Sequence, residues 1–175
     1  MEIKLSKNIL YIMADFETSA KPDKENSVYA WLTGFEVCGI RTFMEEENTV
    51  KKRIKTINEK EDIENVNEEE TIDKYNSLKE TIGNYGYWND DLLNQLPIEK
   101  DFKYFYGKDA VIQWLDAIRD ISFICNQYDT EVCVFFHNAR FDFSYIQYYI
   151  LKHGGKYNRN CFNKYFIIIS NSKRR

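Results

Sequence analysis

The segment ILYIMADFET, residues 9–18, decides the fold because six apolar residues run without a break into two carboxylates. A short, uninterrupted apolar run of this kind predicts a β-strand that is buried on both faces. Side chains of a strand alternate between its faces, so Asp15 and Glu17 point to one side while Phe16 points into the core. Two like charges at the end of a buried strand repel each other and resist desolvation. A hard divalent cation, Mg²⁺ or Mn²⁺, would reduce both the repulsion and the cost of desolvation. The alternative interpretation is a pair of solvated carboxylates that bind no metal.

Composition predicts one intracellular domain with a sizeable core. The chain has 175 residues, of which 43% are hydrophobic and 16% aromatic, enough apolar mass for a folded domain. The four cysteines are scattered, without a Cys-x-x-Cys pair or histidines at zinc spacing, so we expect reduced thiols and no zinc site. The net charge of -4 differs from the positive net charge that is typical of proteins that bind duplex DNA without sequence specificity. A nuclease that meets phosphate through cations is not excluded.

The sequence also predicts a location away from membranes. Its apolar runs are shorter than the ~18 residues that a membrane-spanning helix needs. Residues 1–8 contain two lysines but no apolar core of a signal peptide. We therefore expect a cytoplasmic protein with no membrane partner.

Residues 42–101 are more charged and contain fewer apolar residues than the rest of the chain. This predicts a charged, acidic insertion into a core made of residues 1–41 and 102–175. Residues 59–73 hold eight acidic side chains against one lysine, and sparse apolar residues at helical spacing predict one or two surface helices. Two interpretations stay open. The insertion is either a solvated segment without a role, or an appendage whose acidic run docks on a basic protein surface or mimics nucleic acid.

A second motif follows a second apolar run, in EVCVFFHNARFD at residues 131–142. The pattern predicts a buried strand that leads into a helix with Asp142 near its N-terminus. An amphipathic helix at 108–127 precedes this strand, and a further strand is predicted at 165–170, so a parallel crossover is favoured. On its own, Asp142 could simply be a carboxylate stabilised by the helix dipole, and His137 a hydrogen-bonded residue at the junction.

Together, DFET at residues 15–18 and HNARFD at residues 137–142 resemble the first two exonuclease motifs of protein-primed family B DNA polymerases, the type found in phages and linear plasmids. The resemblance covers roughly residues 8–41 and 102–170, and residues 42–101 have no counterpart. It implies an α/β fold, namely a ribonuclease-H-like (DnaQ-like) mixed sheet flanked by helices. It also implies two-metal hydrolysis of single-stranded DNA from its 3′ end, with Mg²⁺ or Mn²⁺ as cofactor.

The resemblance assigns roles residue by residue. The metal ligands, and hence the catalytic residues, would be Asp15, Glu17 and Asp142. The contacts to the single-stranded 3′ end would come from Thr18, His137, Asn138 and Phe141, whose ring would stack on a base or sugar.

One departure from the family limits what the resemblance implies. The third motif, Tyr-x-x-x-Asp on a later helix, has no match after the second motif in this sequence, so we expect hydrolysis to be slow or absent. Apolar sheet surface left uncovered would invite a protein partner, either there or on the acidic insertion. The alternative function is therefore a catalytically inactive, phage-encoded inhibitor that binds a protein of a host defence system.

Overall fold

The computed structural model describes residues 3–18, 30–59, 65–137, 139–152 and 166–170, and shows an α/β chain with a mixed, open sheet flanked by helices. The strands are β1 (Ser6–Thr18), β2 (Ala30–Met44), β3 (Tyr87–Trp88), β4 (Lys103–Tyr106), β5 (Thr130–Phe136) and β6 (Phe166–Ser170). The helices are α1 (Glu47–Asn58), α2 (Glu68–Ile82), α3 (Asp90–Gln95), α4 (Ala110–Gln127) and α5 (Ala139–Lys152). The predicted helices and strands of the second half are therefore confirmed.

The sheet combines an antiparallel half with a parallel half. Its strand order is β3-β2-β1-β5-β6, and β4 pairs with β2 outside this path. Both β3 and β4 run antiparallel to β2. Trp31, at the start of β2, donates a hydrogen bond from its indole Nε1 to the carbonyl oxygen of Thr18, at the end of β1, over 3.1 Å. β5 and β6 are parallel and are joined through α5, which confirms the predicted crossover.

Contacts divide the chain into two compact units, and β1 and β2 contribute residues to both. The smaller unit contains residues 1–8 and 41–89, and the larger contains residues 9–40 and 90–175. Strand β2 reaches both units because it continues without a break from Ala30 to Met44.

The larger unit is built around an aromatic centre. Phe16 of β1 meets Trp114 of α4 and Phe136 of β5 edge to face, with ring centroids 5.1 and 5.4 Å apart. The predicted stripe of α4 is confirmed, because Val111, Leu115 and Ile118 are fully buried beside Trp114. The Thr33 hydroxyl of β2 donates to the carbonyl oxygen of Ala110, the first residue of α4, over 3.1 Å. This buried hydrogen bond fixes the start of α4 against the sheet.

Strand β1 is buried on one face only towards its end, which corrects the expectation that both faces are buried. Ala14 and Phe16 are buried, whereas Met13 is 49% exposed and both Asp15 and Glu17 are exposed. The strand therefore alternates between core and surface. The expected direction of Asp15 and Glu17, opposite to Phe16, is confirmed.

The smaller unit has a hydrophobic cluster of its own. Val50, Ile54 and Ile57 form one stripe along α1 and pack with Tyr75 of α2 and with Ile3. Helix α2 begins at the N-cap Asn67, whose side chain accepts a hydrogen bond from the Glu70 backbone N–H. The predicted charged helices are confirmed, and their few apolar residues bury one another.

None of the helices in the described part of the chain combines the length and the low polarity that a bilayer crossing requires.

Candidate functional site

The candidate site lies on the face of the larger unit's sheet opposite to Phe16, which we call the outer face. It carries Met13, Asp15 and Glu17 from β1, Glu36 from β2 and Tyr104 from β4. The side chains reach this face because they alternate with the core residues of the same strands. Every one of these residues also lines a single pocket of about 670 Å³.

The pocket combines carboxylates with an aromatic wall. Its remaining lining residues are Ala14, Leu32, Gly34, Phe102 and His137. The rings of Phe102 and Tyr104 are stacked, with centroids 6.3 Å apart and an interplanar angle of 27°. Three of the lining side chains are carboxylates and none is Lys or Arg, so the pocket favours cations.

His137 connects the pocket to the second motif. It directly follows β5, is exposed, and lines the pocket together with Asp15 and Glu17. The ends of β1 and β5 therefore contribute to the same pocket, as neighbouring strands in the sheet order allow.

Asp142 lies in the first turn of α5, as predicted, and is only 1% exposed. Nearby, Tyr145 is hydrogen-bonded to the side chain of Thr18. Partial burial, opposed by that hydrogen bond and reinforced by the negative charge of Asp142, raises the pKa of Tyr145 above its usual value. Tyr145 thus links the start of α5 to the end of β1, where Asp15 and Glu17 lie.

The remaining predicted contacts to nucleic acid are distributed around this junction. Phe141 is 43% exposed, and its ring meets that of Tyr145 edge to face at 5.4 Å. Thr18 is half-buried. Asn138 lies outside the residues that the structure describes.

The donor atoms suit a hard divalent cation, although the set of ligands is not complete. Asp15 and Glu17 offer carboxylate oxygens on one exposed face, and water could fill the remaining positions around Mg²⁺ or Mn²⁺. Over the described ranges, no group of three or more His, Cys, Asp or Glu side chains is arranged to hold a metal ion. The assignment of Asp142 as a third ligand stays a prediction.

No family model, curated protein or solved structure matches the chain.

Sequence reasoning missed half of the pocket. It assigned no role to Phe102 or Tyr104, nor to Gly34 or Glu36. The available signal was the alternation in FKYFYG, which places Phe102 and Tyr104 on the same face of one strand. Sequence alone could not show that this face is shared with Asp15 and Glu17.

Proposed function

We propose that this chain is a DNA-polymerase-type 3′–5′ exonuclease-like domain with a ribonuclease-H-like fold, which binds single-stranded 3′ ends and hydrolyses them slowly with Mg²⁺ or Mn²⁺. The observation that carries the proposal is the shared pocket. Asp15 and Glu17 of the first motif and His137 of the second line the same pocket although they are far apart in sequence. A chance resemblance in two short motifs gives no reason for such an arrangement.

The sheet order supports the finer description of the fold. Two strands of the antiparallel half, β2 and β4, precede α4, and the parallel pair β5–α5–β6 follows it. The first motif ends the central strand β1, and the second begins α5 directly after its neighbour β5. This order is the one expected for a ribonuclease-H-like exonuclease.

Each motif residue has a defined task in the proposal. Asp15 and Glu17 concentrate divalent cations at the pocket, where their charges would otherwise repel phosphate. Cations held there by Asp15 and Glu17 would supply activated water and would stabilise charge on the leaving 3′ oxygen. The contact between Tyr145 and Thr18 positions the first turn of α5, and with it Asp142, against the end of β1. The exposed ring of Phe141 offers a surface on which a base or sugar can stack.

The test is metal-dependent trimming of a 5′-labelled single-stranded oligonucleotide in Mn²⁺, with the variants Asp15→Asn, Glu17→Gln and Asp142→Asn. We expect slow shortening from the 3′ end by the wild type, and its loss in all three variants. The matched control is Asp91→Asn, an exposed carboxylate on α3 outside the pocket, which should trim at the wild-type rate. Circular dichroism on each variant checks that buried Asp142 can be replaced without unfolding the chain.

The proposal fails if the wild type does not trim in Mn²⁺ or Mg²⁺. It also fails if trimming survives in Asp15→Asn and Glu17→Gln, because a contaminating nuclease would then be responsible.

A second candidate function is protein binding without hydrolysis, for example inhibition of a host defence protein. The observation in its favour is that α1 and α2 fold around their own hydrophobic cluster, so the acidic insertion presents an ordered surface. The first turn of α2 carries the exposed residues Glu68, Glu69 and Glu70. Replacing these three by lysine should abolish capture of any partner that docks there, and unchanged capture would remove this candidate.

A further inference from the structure

We propose that Phe102 and Tyr104 form a stacking wall that holds the base of the 3′-terminal nucleotide, an inference that rests on the proposed function. Both rings line the pocket that contains Asp15 and Glu17. They are 63% and 60% exposed, and they are stacked on each other. An exposed pair of aromatic rings in a pocket is a surface on which any base can stack.

The position of the wall follows from the order of the strands. Gly34 of β2 is the register partner of Tyr104 in β4, and β1 is the other neighbour of β2. Two strand spacings, about 9.5 Å in total, therefore separate the backbones of β4 and β1, and the Phe102 ring reaches back over β2 towards β1. A nucleotide whose phosphate is held through cations at Asp15 and Glu17 can place its base against the wall.

Gly34 makes room for this arrangement. A Cβ atom at this position would lie 2.9 Å from Cζ of the Phe102 ring, closer than carbon atoms normally approach. The ring can therefore lie over β2 only because residue 34 has no side chain. Gly34 thereby lets the wall extend from β4 over β2 towards the carboxylates of β1.

The charge of the pocket distinguishes two possible occupants. Three carboxylates and two aromatic rings could also accept a basic side chain of a protein through ion pairs and cation–π contacts. We favour the nucleotide because His137 places the second motif in the same pocket, and because Asp15 and Glu17 lie on β1, across β2 from β4.

The experiment measures binding of two single-stranded oligonucleotides in Ca²⁺, which carboxylates also bind. One carries the fluorescent base 2-aminopurine on its 3′-terminal nucleotide, and the other ends in an abasic sugar. We expect the wild type to quench the fluorescent base and to bind the first oligonucleotide about 10-fold more tightly, as stacking on aromatic rings predicts. Competition against one common labelled strand gives both affinities.

Three variants test whether the rings of Phe102 and Tyr104 cause this preference. The double variant Phe102→Ala/Tyr104→Ala should bind both oligonucleotides equally and should not quench the base. Gly34→Ala should reduce the 10-fold preference while leaving the melting temperature close to that of the wild type, because only the far end of the Phe102 ring must move. The matched control is Tyr106→Ala, which removes an exposed ring from the same strand but outside the pocket, and should keep the preference.

The possible failures can be separated. If the wild type binds both oligonucleotides equally well, the stacking wall is refuted and the proposed function stands. If it binds neither in Ca²⁺ or Mn²⁺, both are refuted. If an arginine-rich peptide binds instead, and the double variant loses that binding, the wall serves a protein partner and the inference is overturned.

Discussion

Replacing Phe16 tests whether the core sets the direction of the pocket carboxylates. Phe16 is 5% exposed and packs edge to face against both Trp114 and Phe136. Truncation of a buried phenylalanine to alanine costs about 3–5 kcal/mol, since transfer and cavity terms add. We expect Phe16→Ala to lower the free energy of unfolding by an amount in this range. Phe16→Leu keeps most of the apolar volume and loses the aromatic pairs, so it should cost about 1–2 kcal/mol.

The assay is urea unfolding followed by tryptophan fluorescence, in a background of Trp31→Phe and Trp88→Phe so that Trp114 of the larger unit reports alone. The control is Phe123→Ala, because Phe123 is 66% exposed on α4 and its loss should change stability by less than about 0.5 kcal/mol. A cost below about 1 kcal/mol for Phe16→Ala would refute the reasoning. Phe16 would then not anchor the end of β1 in the core, where Asp15 and Glu17 lie.

Three further predictions concern the larger unit. Thr33→Val removes the buried hydrogen bond to the carbonyl oxygen of Ala110 and should lower the free energy of unfolding measured in urea by about 1 kcal/mol. Thr33→Ser should retain the bond. Equal losses of stability in the two variants would contradict this prediction. Burial raises the pKa of the Cys125 thiol to about 12 and that of Cys133 to about 11. In a Cys161→Ser background, Ellman's reagent at pH 8 should therefore label exposed Cys38 first. Rapid labelling of Cys125 would contradict the core packing. The pKa of Tyr145 is higher in the folded state than its ordinary value of 10, so its contribution to stability is present below about pH 10 and is lost as the pH rises through the folded-state value. When the urea midpoint of unfolding is measured at increasing alkaline pH, it should fall less steeply in Tyr145→Phe than in the wild type. An equal fall in both proteins would show that Tyr145 is not its source.

The alternation in residues 9–18 was enough to predict which way the first-motif side chains point. A strand with Phe16 in the core must direct Asp15 and Glu17 to the other side, and the structure confirms this. The same segment misled the prediction of burial, because an apolar run does not show what covers each face. Met13 belongs to that run and is nevertheless 49% exposed.

The aromatic wall could not be predicted because it depends on pairing between distant strands. Gly34 and Tyr104 are register partners, yet nothing local in either segment specifies the other. The position of Tyr145 was missed for a similar reason. It belongs to the helix that begins with Asp142, whereas its partner Thr18 ends the first strand. Local patterns predicted the elements of the sheet, and tertiary pairing determined which of their residues share a pocket.

The central claim is that Asp15 and Glu17 collect divalent cations in the pocket of the outer face. The most direct measurement is paramagnetic broadening of amide NMR signals by substoichiometric Mn²⁺, in the wild type and in Asp15→Asn/Glu17→Gln. We expect the signals of residues 13–17, 34–36 and 137 to broaden first in the wild type, and to stay sharp in the double variant. Broadening that centres on residues 68–70 of α2, or that persists unchanged in the double variant, would contradict the claim.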